Sequence, residues 1–296
     1  MIRITALVLS MICWLITNAN AQDVPEYQAK LVRTYKTFDA RQAVAVGKDY
    51  FYALDSFKLT KHNKLDGKAV VQWDGEEYGK VIFHLDSGML LNGKLYASHS
   101  NYGISPMTSS VEVWDANTLK HIESHSFGIY RGSFTWLDRY NGSWWGAFAN
   151  YDKIQDGSIE SYGKTVNTKL VKMDGNFNIM QSWILPNKLL DRMSPMSNSG
   201  GSWGPDGYLY LTAHDYGEIY VMKIPDAGSI MHHVATVNIE NALEGQGIAW
   251  DRTENGRILW GIRKETREVY KMSVPKIDVV AKMPEGILRR DHFNQK

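Results

Sequence analysis

Five similar apolar runs in this chain end in polar groups of different kinds. FYALDS (51–56) carries Asp55 and LYASHS (95–100) carries His99. WGAFANYD (145–152) carries Asn150, LYLTAHDYGE (209–218) carries His214 and Asp215, and LWGIRKETRE (259–268) carries Arg263. An imidazole changes charge near neutral pH and serves as acid, base or metal ligand. Two imidazoles with a nearby carboxylate suffice for a divalent metal ion or for general acid–base work. His99, His214, Asp215 and Glu244 are therefore the candidate catalytic residues, and His99 and His214 are also the candidate metal ligands. Arg263 offers a guanidinium for an anionic group. The alternative is structural: the same histidines would hydrogen-bond loop backbone and tie neighbouring units together.

A second polar set stands just before the apolar runs. It comprises Arg41 and Gln42; His84, Asp86 and Ser87; Ser133 and Thr135; Asn198 and Ser199; and Glu244 and Gln246. From the two sets, Gln42, Asp55, His84, Asn150, Asn198, Gln246 and Arg263 are the candidate substrate-binding residues.

The elements that must position these groups follow from their recurrence. The apolar phrase returns at about 45-residue steps, a period that marks radial arrays. Short alternating runs are punctuated by Gly, Asn and Asp, and no long segment has helical periodicity. A turn recurs after each third run: LDGK (65–68), DANT (115–118), DGNFN (174–178) and PDAG (225–228). The predicted fold is all-β: a β-propeller of five blades, each of four antiparallel strands. In such a ring equivalent positions converge on the axis, so the polar sets should line a central funnel. The propeller is expected over 41–283. Segment 22–40 includes KLVRTYKTFD (30–39), an outer strand able to complete the fifth unit; PKIDVVAKM (275–283) is the alternative. The polar stretch 284–296 is expected to be a flexible tail. An insertion at about 153–168, rich in Gly, Ser, Asp and Glu, is either a solvated surface loop or a cover for the site.

The first residues point to export. Arg3 precedes an apolar stretch, 4–16, and Ala19-Asn20-Ala21 offers small residues for cleavage after Ala21. The stretch is too short to be a stable membrane span. Segment 1–21 is therefore read as a cleaved signal peptide, with a secreted or periplasmic product. Cys13, the only cysteine, lies within it. The mature chain would lack thiolate catalysis, cysteine zinc sites and iron–sulfur clusters. The formal net charge is +1, with acids and bases interspersed. That excludes a basic patch for nucleic acid. The expected partner is a small-molecule, sugar or peptide ligand, and the expected state is a monomer with no integral membrane span.

Several motifs are weaker. His121 and His125 sit four residues apart, which on a regular strand puts both rings on one face. They are expected to be an exposed outer-strand pair, as is His232-His233. Trp-Asp pairs at 73–74, 114–115 and 250–251 occupy different places in their units and do not make a WD signature. Trp136, Trp144, Trp145 and Trp203 would either offer aromatic surface to a ligand or fill the space between blades.

Two phrases, RQAVAVGKDYFYALDS (41–56) and EGQGIAWDRTENGRILWGIR (244–263), resemble the blade openings of secreted glutamine cyclotransferase-like five-bladed propellers. HLDSGMLLNGKLYASHSN (84–101), SFGIYRGSFTW (126–136) and SGGSWGPDGYLYLTAHD (199–215) resemble a related secreted group labelled cycloisomerase. The resemblance implies the propeller and a reaction that shuttles a proton between an amine and an amide. Glu244 is then the matching acid. The functional expectation is an enzyme of cyclase, isomerase, lyase or hydrolase type acting on a small polar or carbohydrate-like substrate, with a divalent metal as a possible cofactor. The alternative is a non-catalytic binding propeller.

Overall fold

A computed structural model describes residues 24–156, 163–214, 217–239 and 245–278. The expected signal peptide (1–21), Asp215, Glu244 and the expected tail (284–296) lie outside these residues.

The chain opens with β1 (Glu26–Gln28) and β2 (Lys30–Lys36). Blade one is β3 (Ala43–Val46), β4 (Tyr50–Leu54), β5 (Lys58–Asn63) and β6 (Ala69–Asp74). Blade two is β7 (Leu85–Leu91), β8 (Lys94–Ser100), β9 (Thr108–Asp115) and β10 (His121–Ile129). Blade three is β11 (Ser133–Tyr140), β12 (Ser143–Ala149), β13 (Lys169–Met173) and β14 (Ile179–Ile184). A short helix, α1 (Asn187–Met193), leads to blade four: β15 (Gly200–Trp203), β16 (Leu209–Thr212), β17 (Glu218–Lys223) and β18 (His232–Asn238). Blade five is β19 (Ala249–Trp250), β20 (Ile258–Arg263) and β21 (Glu268–Ser273), completed on its outer side by β2. The first strands touch in a closed cycle: β3, β7, β11, β15, β19 and β3 again. This is a five-bladed β-propeller. β1 adds a fifth strand to blade four, parallel to β18. Among the described residues no helix is long and apolar enough to cross a membrane.

The ring follows from strands that are apolar on both faces. Such strands need cover on two sides, and a circle of blades supplies it. Five buried clusters lie between neighbours. Leu54 and Trp73 meet Leu85 and Trp114 between blades one and two. Val111 and Val113 meet Phe134 and Phe148 next. Trp136, Trp145 and Leu170 meet Trp203 and Leu211. Tyr210 and Val221 meet Trp250 and Leu259. Trp260 and Val269 meet Val44 and Phe51, closing the circle. Trp136, Trp144, Trp145 and Trp203 are all buried here, at 5% exposure or less, so they fill the inter-blade space and present no ligand surface.

Candidate functional site

The inner strands begin, and the second strands end, at one rim of the ring. Two inner strands start irregularly there. β7 pairs Ser87 with Ser98 but Leu85 with His99, so Asp86 is an extra, unpaired residue. β11 does the same: Phe134 faces Phe148, Trp136 faces Ala147, and Thr135 is extra. A bulge re-aims the side chain it carries, and bulges gather beside functional sites. Asp86 Oδ1 lies 3.1 Å from Nε2 of His84. Asp86 Oδ2 is buried and meets no hydrogen-bond partner among the described residues, and the same holds for Thr135 Oγ1. An unsatisfied buried polar atom costs about 1–3 kcal/mol, so a protein keeps one for a reason.

Aromatic residues surround this carboxylate. The His84 ring stacks on Tyr102 at 5.2 Å, and Tyr102 meets Tyr151 edge-on at 4.9 Å. Tyr151 hydrogen-bonds Ser133, whose hydroxyl lies 2.6 Å from that of Ser100. Burial pushes the Tyr151 phenol well above its ordinary 10.0, and the Asp86 charge adds to it. Tyr102 is raised by the same two causes. Both phenols thus keep their protons at neutral pH and are donors. Burial works against a charged His84, but the Asp86 charge and hydrogen bond outweigh it and raise the imidazole above 6.5. The cluster combines a carboxylate acceptor, two neutral phenols and a cation-prone imidazole.

His84 was among the expected binding residues; Tyr102 and Tyr151 were not. Their signal is a repeat within the repeat. In sequence, SHSNY (98–102), FANY (148–151) and AHDY (213–216) each place a tyrosine a few residues after the apolar run of a second strand. The bulges also alter the expected ring of equivalent positions. Counting from Asp86 and Thr135, the partner of Asn150 in blade two is Asn101, and His99 corresponds to Phe148. The two asparagines do matching work. Asn101 Oδ1 accepts from Thr108 N and its Nδ2 donates to Pro106 O. Asn150 Nδ2 donates to Asn167 O.

The histidines of blade two join a separate, internal network. His99 Nε2 accepts from Phe83 N at 3.4 Å, and Nδ1 lies 3.0 Å from Ser110 Oγ. Ser110 Oγ donates to Glu112 Oε1 at 2.6 Å, while His121 Nε2 lies 2.8 Å from Glu112 Oε2. Burial lowers the pKa of His99, so its neutral form suits this chain of bonds. His121 and His125 do not share a face. The β10–β9 pairing slips between His121 and Glu123, setting His121 opposite Trp114 and His125 opposite Val111, an odd number of residues apart.

The other expected site residues divide into those tied into the frame and those at the rim. Asn198 is fully buried; its Oδ1 accepts from Trp136 Nε1 and its Nδ2 donates to Gly200 O and Thr212 O. It locks blade three to blade four. Gln42 Nε2 donates to Ser56 Oγ at 2.9 Å. Asp55 lies 3.7 Å from Arg41 Nε and 3.8 Å from Arg267 Nη1. Burial raises the Asp55 carboxyl despite these two cations. Arg263 ends β20, paired across the strand with Glu268. His214 follows the end of β16 and is half-buried. Gly245 (φ 59) packs on it so closely that a Cβ would come 1.6 Å from Ala213 O. Gln246 is buried, and its carbonyl accepts from Thr212 Oγ1 at 2.8 Å. The structure thus sets the start of blade five beside His214. Among the described residues no three His, Cys, Asp or Glu side chains are grouped to hold a metal.

No protein-family model and no curated protein matches this sequence. Among solved structures, a crystal structure of Myxococcus xanthus glutaminyl cyclase matches with a TM-score of 0.57. The match covers 86% of this chain and 100% of that one, at 12% identity. The two chains share a fold. At this identity the likeness establishes the five-bladed propeller and nothing of the chemistry.

Proposed function

We propose that this propeller is an enzyme that moves a proton on a small polar substrate at the rim, with Asp86 as the acid–base group. The observation that carries the reading is the free, buried Oδ2 of Asp86 at a bulge of an inner strand. His84 engages Oδ1 and leaves one oxygen for a substrate N–H or O–H. As that nitrogen or oxygen attacks a carbonyl, Oδ2 takes the proton and then hands it to the leaving group. Tyr102 and Tyr151 supply neutral donors for the carbonyl oxygen. Asp86 is shielded from water, so the substrate must part the side chains around it.

Ring closure of an amine onto its own amide, with loss of ammonia, requires only this proton relay. The test is ammonia release from a peptide with N-terminal glutamine. The expected result is a rate above spontaneous cyclisation that falls about 100-fold or more in Asp86→Asn, the scale of a lost general acid–base group. Glu244→Gln, run alongside, tests the acid that the sequence resemblance indicates. No ammonia above the buffer rate removes this ring closure as the reaction. An unchanged rate in Asp86→Asn removes Asp86 from the chemistry. Metal analysis with His99→Ala and His214→Ala tests the metal reading in the same preparation. A leader over 1–21 would deliver the enzyme to an exported compartment.

A further inference from the structure

A second pocket, of about 450 Å³, lies on the same rim at the outer part of blade three. Tyr130 and Arg131 reach it from the link between β10 and β11. Lys169, the first residue of β13, and Ser182 of β14 form its wall with Asn150 and Asn167. Among the described residues no acidic side chain lines it. Lys169 makes no ion pair among the described residues. Arg131 donates Nε to Phe127 O at 3.2 Å and makes no ion pair among the described residues. Burial lowers the pKa of Lys169, and the charge of Arg131 lowers it further. Two like charges thus share one pocket with no counter-ion among the described residues, beside amide and hydroxyl groups. Tyr130, which precedes Arg131, sits in the left-handed region at φ 62, a conformation that a bulky residue rarely adopts.

We infer that this pocket binds one oxyanion group, a carboxylate, sulfate or phosphate carried by a small ligand, between Arg131 and Lys169. The planar guanidinium matches two oxygens of such a group, and the ammonium adds a point charge. The serine and asparagine side chains complete the hydrogen bonds. The site stands on its own geometry, apart from Asp86.

Titration calorimetry with sodium sulfate, sodium phosphate and sodium acetate tests it, each against sodium chloride at equal ionic strength. The parent should bind at least one probe saturably. Arg131→Gln and Lys169→Met should each weaken that binding tenfold or more. Asp86→Asn should bind as the parent does, which separates this site from the proposed reaction. Preference for acetate identifies a carboxylate ligand; preference for sulfate or phosphate identifies a tetrahedral one. Without added anion, Lys169→Met should melt no lower than the parent, because it removes an unpaired charge. Absence of saturable binding by all three probes overturns the inference, as does equal binding in parent and variants.

Discussion

Asp86 and Glu112 are both buried acids of blade two, and their partners give them different roles. Glu112 is fully engaged: it accepts from Ser110 and Ser124 and bonds His121. Burial opposes its charge, but these bonds outweigh burial and hold its pKa below the ordinary 4.5. Its stabilising contribution is therefore present above that value and lost as pH falls through the lower folded value. Glu112→Gln should cost about 1–3 kcal/mol at pH 7. The gap from the parent, read as urea midpoints, should close in acid below the folded pKa; a constant gap refutes the account. Asp86 keeps one oxygen free, and its effect is read on its neighbour. The His84 imidazole should titrate above 6.5 by NMR and fall towards or below 6.5 in Asp86→Asn. The sign is that of a group raised on folding. The stability from this pair is complete below 6.5 and lost as pH rises through the folded value.

At the scale of elements, the bulges and the outer strand of blade five decide most. The bulges at Asp86 and Thr135 leave the alternation of β7 and β11 intact over most of each strand, yet each turns one polar side chain inward at the shared rim. β2 carries Tyr35 into the seam between blades five and one. Its ring stacks on Trp260 at 5.5 Å and lies 4.9 Å from Phe51, and its hydroxyl donates to Lys64 O at 2.8 Å. Tyr35→Ala should cost about 3–5 kcal/mol, the range for a deleted core aromatic, measured by chemical denaturation. A loss under about 1 kcal/mol would mean that β2 does little to close the ring. Packing between inner strands is equally tight. A Cβ on Gly201 of β15 would stand 2.4 Å from the Trp136 ring. Gly201→Ala should therefore lower stability by about 1–3 kcal/mol, the scale of an overpacked core.

For the molecule as a whole, the five seams act together with polar clamps at the opposite end from the rim. Asp138 of blade three accepts both guanidinium nitrogens of Arg252 in blade five, at 2.9 and 2.7 Å. It also accepts from Ser202 Oγ and Trp203 N of blade four. One carboxylate thus fastens three blades. Lys64 of blade one bonds Asp251 of blade five at 2.6 Å. Asp138→Ala should lower unfolding free energy by about 2–4 kcal/mol, since it strands several donors while Arg252 retains some access to water. Unfolding should stay a single transition by fluorescence and circular dichroism. Separate transitions would show that the blades are not coupled through the clamp.

The repeat of apolar strands and turns was enough to determine the fold class and the number of blades, while the choice between 30–39 and 275–283 for the closing strand fell to the structure. Those properties depend on local alternation and on a fixed period, and both are written in consecutive residues. His84 was legible because it precedes an inner strand. Tyr102 and Tyr151 were legible only in retrospect, as a tyrosine recurring after the strand ends. The tertiary structure decided which polar groups are tied up and which are free. Asn198 looks the same in sequence as a ligand-binding amide, but Trp136, 62 residues away, occupies it. Asp86 looks like any strand-leading acid until the register shows that it has no opposite number. A one-residue bulge barely disturbs the hydrophobic pattern, yet it reverses the facing of the residues beyond it. Hydrogen-bond partners are chosen across blades, where sequence distance carries no information. That is why the ring could be read from the chain and the free oxygen could not.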